Sequence, residues 1–356
     1  MRVLVVDDSP LLRRGMRTIL ERGGLVVVGE CANGTDALAR IETLRPDVVT
    51  MDLDMPGLDG LGAIERIMAE RPTPILVVTG EPAYRGLDSE FEALARGAVD
   101  LVRKPSATSP EECEQLIERL QMVARVQVVP HVRGVARRRA RTNHPTEPLL
   151  PSATARIAAA NPVPAVVAIG ASTGGPGAVR IVLDGLGTGL GVPVVVVQHM
   201  ADEFADGFVR WLRSQVAMPV VEAAPGVRLD PGVAYVAVRG PHLRIAEDGV
   251  TLIAVSGPAH PHRPSVDALF TGLAASHGRR AIGIVLTGMG DDGALGLAAI
   301  SAAGGLTIAQ DEESSVVFGM PGAAIERGAA RLVLNLRNVA RVTRDACRAA
   351  RPGGSA

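Results

Sequence analysis

Short runs of valine, leucine and isoleucine alternate with stretches whose apolar residues recur every three or four positions, and this rhythm begins at residue 3. Continuous apolar runs of four to six residues suit strands buried on both faces of a parallel sheet, each followed by a helix with one apolar face. In the first third of the chain the pattern predicts strands at Val3–Val6, Leu25–Gly29, Val48–Met51, Ile75–Val78 and Val99–Val102. Helices are expected near Leu11–Leu20, Thr35–Leu44, Leu61–Glu70, Gly86–Arg96 and Glu111–Val123. Ser9 before Pro10 marks the first helix start, with a hydroxyl to cap it and a ring whose φ is already helical. The rhythm then fails. Arg137, Arg138, Arg139 and Arg141 form a basic cluster without aromatic partners, and Pro145, Pro148 and Pro151 break any regular element, so a solvated linker is expected. Beyond it the alternation resumes, with strands at Val163–Ile169, Val192–Val197, Val233–Val238 and Ile282–Leu286. Helices are expected there at Ala178–Leu186, Phe204–Gln215, Ser265–Ser276 and Ala294–Ala303. The chain therefore reads as α/β throughout: a first domain of βα units over residues 1–122, a flexible linker over 123–160, and a doubly wound α/β domain over 161–350.

Composition narrows this picture. A length of 356 residues accommodates two domains, and 47% hydrophobic residues supply their cores. Aromatic residues are only 2%, so the cores are aliphatic and base-stacking recognition of single-stranded nucleic acid is not expected. With 37 basic and 38 acidic residues the net charge is -1, and no helix-turn-helix pattern follows the first domain, so nucleic acid is not an expected partner. Cys31, Cys113 and Cys347 are widely spaced and form no metal or redox pair, which fits a reducing compartment. MRVLVVDDSP reaches two acids by residue 8, the pattern of a first strand and not of a secretory leader. No apolar run is long enough to span a bilayer. A cytoplasmic, monomeric chain that is not membrane-embedded is the expectation.

Candidate chemistry lies at the carboxyl ends of the strands, where open α/β sheets bind ligands. Asp7 and Asp8 follow the first strand, Asp52 the third, Thr79 the fourth and Lys104 the fifth. Three neighbouring carboxylates repel one another unless a divalent cation joins them, and an all-oxygen set suits Mg²⁺. A lysine and a threonine hydroxyl opposite them complete a pocket for a phosphoryl group, with one carboxylate able to attack phosphorus.

In the second domain the sequence VAIGASTGGPGAV, residues 167–179, predicts a buried strand, a tight turn and a helix start. Ser172 is expected at the tip of that turn with its oxygen exposed, beside free backbone N–H groups able to stabilise an oxyanion. Gln198 and His199 end the next strand, and TGMGDDG, residues 287–293, follows a later one. A dinucleotide site would need an acid after the second strand to hold the ribose, and Gln198 and His199 stand there instead. Nucleophilic catalysis accounts for more of these residues. A serine hydroxyl needs a base, an imidazole has the right proton affinity, and a carboxylate must orient the ring. Ser172, His199 and either Asp291 or Asp292 supply that set. The order Ser–His–Asp and the absence of Gly-x-Ser-x-Gly separate it from the α/β-hydrolases. A binding module for protein or nucleotide is the competing reading, and would tolerate loss of Ser172.

The blocks VLVVDDSP and MDLDMPGLDG, with Thr79 and Lys104-Pro105, resemble a response-regulator receiver domain. The resemblance implies a flavodoxin-like (βα)5 fold, phosphorylation of Asp52, Mg²⁺ held by Asp7, Asp8 and Asp52, and phosphoryl contacts from Thr79 and Lys104. Asp54 and Asp59 match the flanks of the motif as modulatory or structural residues. Receivers commonly carry an aromatic residue three positions before the lysine, where this chain has Leu101. IGASTGGPGA, QHM, RPSVDALF with LTGMGDDGALGL, and AQDEESSVVFGMPGAAIERGA resemble the chemotaxis response-regulator protein-glutamate methylesterases, the CheB family. That resemblance implies Ser172 as nucleophile, His199 as base and Asp292 as orienting acid. It further implies Thr173 near the histidine, the Met289 N–H at the oxyanion, and Arg263 to Asp267 and Ser314 to Pro321 shaping the site. The implied activity is demethylation of glutamate methyl esters on a methyl-accepting chemoreceptor, with deamidation of glutamines, needing no cofactor for the ester chemistry. A histidine kinase would phosphorylate the receiver, which unphosphorylated would restrict access to Ser172. ADEFADGFVRWL after Met200 departs from the proline-rich helix start expected of the family, so the surface meeting substrate differs.

Overall fold

The computed structural model describes residues 1–80, 88–106, 108–126, 128, 164–256 and 263–348. The arginine cluster and prolines of the expected linker lie outside these residues. The chain divides into two units, Met1–Thr142 and Asn143–Ala356.

In the first unit, β1 (Arg2–Val6), β2 (Val26–Cys31), β3 (Val48–Met51), β4 (Ile75–Thr79) and β5 (Asp100–Arg103) form one parallel sheet in the order β2-β1-β3-β4-β5. Helices α1 (Pro10–Arg22), α2 (Gly34–Leu44), α3 (Gly60–Glu70), α4 (Asp88–Ala95) and α5 (Pro110–Val123) connect and follow the strands. Their starts are encoded locally. Ser9, Asn33, Asp59 and Ser109 each accept a backbone N–H from the first turn of the helix they precede. Every residue of β3 and β4 is buried, as their uninterrupted apolar character requires.

In the second unit, seven parallel strands run in the order β14-β13-β12-β6-β7-β9-β8. Their ranges are β6 Val166–Ala171, β7 Val194–Gln198, β8 Val220–Glu222, β9 Ala234–Ala237, β12 Ala281–Val285, β13 Leu306–Gln310 and β14 Leu332–Leu334. A separate antiparallel hairpin joins β10 (His242–Ile245) to β11 (Leu252–Val255). Helix α6 (Gly175–Leu186) packs against α11 (Leu336–Arg348) and α7 (Ala205–Gln215). On the other side, α8 (Val266–His277), α9 (Ala294–Ala302) and α10 (Met320–Glu326) cover a core of Val166, Ala168, Phe270, Leu297, Ile300 and Met320. From β6 the chain builds outward through β7, β8 and β9, then returns to start the other half at β12. The strand order therefore reverses between β6 and β12, and at such a reversal the loops leaving the two strands diverge and open a crevice.

The expected sheets and helices are present within a few residues of their expected ends. The described part of the helix expected at Gly86–Arg96 is α4, and the strand expected from Val163 begins at Val166. Strands β8, β10, β11, β13 and β14 and helices α10 and α11 were not anticipated. β8 and β14 have three residues each, too few to display a period, and β13 carries the fully buried polar residues Thr307 and Gln310.

Candidate functional site

Two clusters stand at carboxyl ends of strands, one in each unit. In the first, β1 and β3 are neighbours with Val6 opposite Met51, so Asp7 and Asp52 leave the sheet side by side. Asp7, Asp8 and Asp52 carry carboxylate oxygens within 4.8 Å of one another. Lys104 reaches across from the end of β5, its Nζ 2.8 Å from Asp7 Oδ2 and 2.7 Å from Asp52 Oδ2. The other Asp52 oxygen accepts the Leu53 N–H at 2.9 Å. Burial pushes the Asp52 carboxyl up, against the pull of the Lys104 ammonium. Burial works against the charge on Lys104 too, but its bonds to Asp52 and Asp7 prevail and raise it. With all groups ionised, three carboxylates and one ammonium leave about two negative charges in a small space, and this oxygen-only donor set fits a hard divalent cation. Thr79 is buried at the end of β4, where its carbonyl accepts the Lys104 N–H at 2.8 Å. Leu101 is buried in β5 beside Val77. Asp54 is exposed, and Asp59 caps α3 through the Gly62 N–H at 2.8 Å.

Gly60 fixes the loop beneath Asp52. A Cβ there would lie 2.2 Å from the Asp52 carbonyl oxygen and 2.6 Å from the Leu53 Cα, both backbone atoms with no room to retreat. Gly60→Ala is expected to destabilise the first unit by about 1–3 kcal/mol, the range for forced overpacking. Urea unfolding measures it, and an unchanged midpoint would show that the loop yields freely.

In the second unit the cluster lies at the crevice between β6 and β12. Ala171 of β6 is opposite Gln198 of β7, and the His199 N–H donates to the Ala171 carbonyl at 2.9 Å. Ser172 and His199, one step further on, thus face each other across adjacent strands, whose backbones lie about 4.8 Å apart. Ser172 as a residue is only 5% exposed, the turn being overlaid by the loops after β12 and β13. The Ser172 N–H donates to the Thr287 carbonyl at 3.0 Å, and Gly288 comes so near that a Cβ on it would lie 2.7 Å from the Ser172 Cβ. Gly174 turns the chain into α6 with φ 75°, and a Cβ there would strike Val316.

Of the two candidate acids, Asp291 is exposed and lies 3.6 Å from Arg327. Asp292 is 2% exposed, with Oδ2 2.9 Å from His199 Nε2. It also closes the N-terminus of α8: Oδ2 accepts the Val266 N–H at 2.7 Å, and Oδ1 accepts the Asp267 N–H and the Ser265 hydroxyl, both at 2.9 Å. Burial alone would raise this carboxyl, but the bonds from His199, Asp267 and Val266 hold it well below the usual carboxylate range.

Three polar side chains, Gln198, Thr287 and Gln310, stitch the loops together. Gln198 donates from Nε2 to the Ser172 and His199 carbonyls, each at 2.8 Å. The Thr287 hydroxyl donates to the Thr173 carbonyl at 2.9 Å and accepts the Val317 N–H at 2.9 Å. Gln310 accepts the Thr287 N–H at 2.7 Å and donates to the Ser314 carbonyl at 2.6 Å. A buried glutamine at the end of an apolar strand is the signal that could have found two of them. Thr173 is buried beside Ser172, whereas the Met289 side chain is 46% exposed on the rim.

A CheB methylesterase family model matches residues 167–343, and a response regulator receiver domain model matches residues 3–119. The protein-glutamate methylesterase/protein-glutamine glutaminase 3 of Paramagnetospirillum magneticum is 44% identical over 353 residues, covering 95% of this chain and 94% of its own. The protein-glutamate methylesterase/protein-glutamine glutaminase 2 of Anaeromyxobacter dehalogenans is 45% identical over 350 residues, covering 98% of this chain and 97% of its own. The Thermotoga maritima CheB methylesterase catalytic domain aligns with 51% of this chain and 98% of its own, at 35% identity and a TM-score of 0.49.

Proposed function

The chain belongs to the CheB methylesterases that carry a response regulator receiver domain, and on that premise we propose that Ser172, His199 and Asp292 are the nucleophile, base and orienting acid of its esterase. The protein is a phosphorylation-regulated protein-glutamate methylesterase and protein-glutamine glutaminase. The observation that carries the assignment is the buried 2.9 Å contact between His199 Nε2 and Asp292, with Ser172 and His199 each following the paired strand ends Ala171 and Gln198. The domain limits follow the sequence: receiver 1–122, linker 123–160, esterase 161–350.

His199 Nδ1 takes the Ser172 proton as Oγ attacks the carbonyl carbon of a glutamyl methyl ester on a chemoreceptor. The tetrahedral oxyanion is stabilised by backbone N–H groups, that of Met289 among them. Its collapse breaks the bond to the methoxy oxygen, which leaves as methanol with the proton from His199. Water, deprotonated in turn by His199, then cleaves the Ser172 ester and frees the glutamate. A glutamine follows the same course with ammonia as the leaving group. Thr173 helps to hold the histidine.

In the receiver, Asp52 attacks phosphorus and becomes an acyl phosphate, the donor being a phosphohistidine of the pathway's kinase or a small acyl phosphate. Asp7, Asp8 and Asp52 would hold Mg²⁺, which when bound neutralises the phosphoryl oxygens. Lys104 and Thr79 contact the transferred group. Among the described residues no helix is long and apolar enough to cross a membrane.

Methanol release from methylated receptor tests this reading. Acetyl phosphate is expected to raise the rate of the full chain on the order of 10-fold, within the usual range for coupling between sites. Asp52→Asn and chelation of Mg²⁺ should each remove that rise and leave the basal rate. An equal rise in Asp52→Asn would move the phosphoryl site elsewhere.

A further inference from the structure

Behind Asp292 stands a second buried histidine. His242, 3% exposed, opens the hairpin strand β10, and its Nδ1 accepts the Ser265 N–H at 3.0 Å. We propose that His242 is a positioning residue of the esterase: it holds Ser265 so that one acceptor site of Asp292 stays reserved for His199. The proposal rests on the reading of Ser172, His199 and Asp292 as the catalytic set.

The case is an accounting of donors at the start of α8. A carboxylate offers about four lone-pair sites; here three take hydrogen bonds and His199 stands at the fourth. Oδ1 receives the Ser265 hydroxyl and the Asp267 N–H, and Oδ2 receives the Val266 N–H with His199 Nε2 2.9 Å away. The Ala268 N–H goes to the Ser265 hydroxyl oxygen at 3.3 Å. That leaves the Ser265 N–H as the next donor of the helix start, and His242 takes it. Without His242 this N–H would be a buried donor with no acceptor, a costly state that the chain relieves by turning toward the nearest acceptor. Asp292 caps the same helix start and already takes three donors, with His199 Nε2 2.9 Å away. Any donor that Asp292 gives up loosens the group that orients His199. Nδ1 can accept only while it carries no proton, so the ring proton of His242 resides on Nε2.

The hairpin gives this contact a structural reason. β10 and β11 lie outside the seven-stranded sheet, yet β10 packs directly on α8, with the Arg244 side chain against Gly272. Loss of the partners that support a metal-bound imidazole costs about 10- to 100-fold in activity, and the same scale is taken for His242, which acts on His199 through Ser265 and Asp292.

The test compares His242→Leu, His242→Asn and His242→Ala in the full chain. Steady-state methanol release gives kcat and KM, the low-field proton resonance of His199 Nε2–H reports the contact with Asp292, and thermal unfolding reports folding. His242→Leu is expected to lower kcat about 10- to 100-fold with KM unchanged and to weaken the resonance. Asn places an amide oxygen near the position of Nδ1, so His242→Asn should recover most of kcat and restore the resonance. A folded His242→Leu with wild-type kcat and resonance would overturn the proposal, as would His242→Asn falling as far as His242→Leu. If His242→Leu does not fold, His242→Asn and His242→Ala decide: kcat and resonance kept by Asn and lost by Ala support the proposal, and equal values in the two end it. Failure of the underlying reading looks different, since Ser172→Ala would then release methanol at the wild-type rate.

Discussion

Ser172→Ala is expected to lower methanol release about 10⁶-fold, the scale seen when a triad serine is removed. The substitution deletes the only atom that forms the acyl bond and leaves the framework intact. The Ser172 backbone keeps its bonds to Thr287 and Gln198, and the neighbouring Gly288 loses no contact that shapes the turn. Circular dichroism and thermal unfolding should therefore match the parent. Deamidation of receptor glutamines should fall by the same factor, because ester and amide share one acyl-enzyme. Residual turnover above the background reaction is expected from the oxyanion donors alone. If the variant released methanol at the parental rate, attack by Ser172 would be excluded and the domain would have to act by another nucleophile or by binding.

Asp292→Asn is expected to reduce kcat about 10⁴-fold, the cost of presenting the wrong tautomer in a triad. An amide has one acceptor oxygen where the carboxylate has two. If that oxygen faces the backbone donors of α8, the amide N–H₂ faces His199 Nε2 and forces the ring proton to Nδ1. The nitrogen that should accept the Ser172 proton is then itself a donor. If the amide is reversed, the N–H₂ meets the Asp267 N–H and the helix start is disrupted. Either arrangement fails, which is why an isosteric change is so damaging here. A variant retaining kcat within a few-fold would show that His199 is oriented by some other group.

The same residue carries a stability signature. The folded Asp292 carboxyl lies below its unfolded value of about 3.9. A depressed carboxyl stabilises the fold above the unfolded value, and that contribution fades as pH falls from there through the folded value. Urea unfolding of the parent and Asp292→Asn should thus differ most at neutral pH and converge as the solution is acidified below about 4. A constant difference across that range would mean that the carboxylate charge is not what the site uses.

The receiver was almost fully legible in the sequence. Val3–Val6 and Val48–Met51 could only be buried strands, and neighbouring parallel strands put whatever follows them side by side, so Asp7 and Asp52 had to meet. Lys104 needed only the fifth strand to end where Val102 and Arg103 end it. The esterase was legible in its parts and not in its assembly. Ser172 and His199 end consecutive strands that pair, and their proximity follows from local rules. The choice between Asp291 and Asp292 did not follow from pattern, because adjacent residues in a glycine-rich loop share one composition and differ only in where the loop turns them.

Apolar periodicity, cap residues and glycine turns act over a few residues, so the chain alone determined its two α/β units, the edge of each sheet that carries chemistry, and the residue types present there. Tertiary structure decided what depends on strands far apart in sequence. It set the reversal of strand order between β6 and β12, the burial of Ser172 beneath the loops after β12 and β13, and the use of Asp292 as both helix cap and partner of His199. It also brought His242 behind Ser265, a contact spanning 23 residues of sequence. A hydrogen bond acts over about 3 Å of space and carries no record of sequence distance, so no local pattern could announce it.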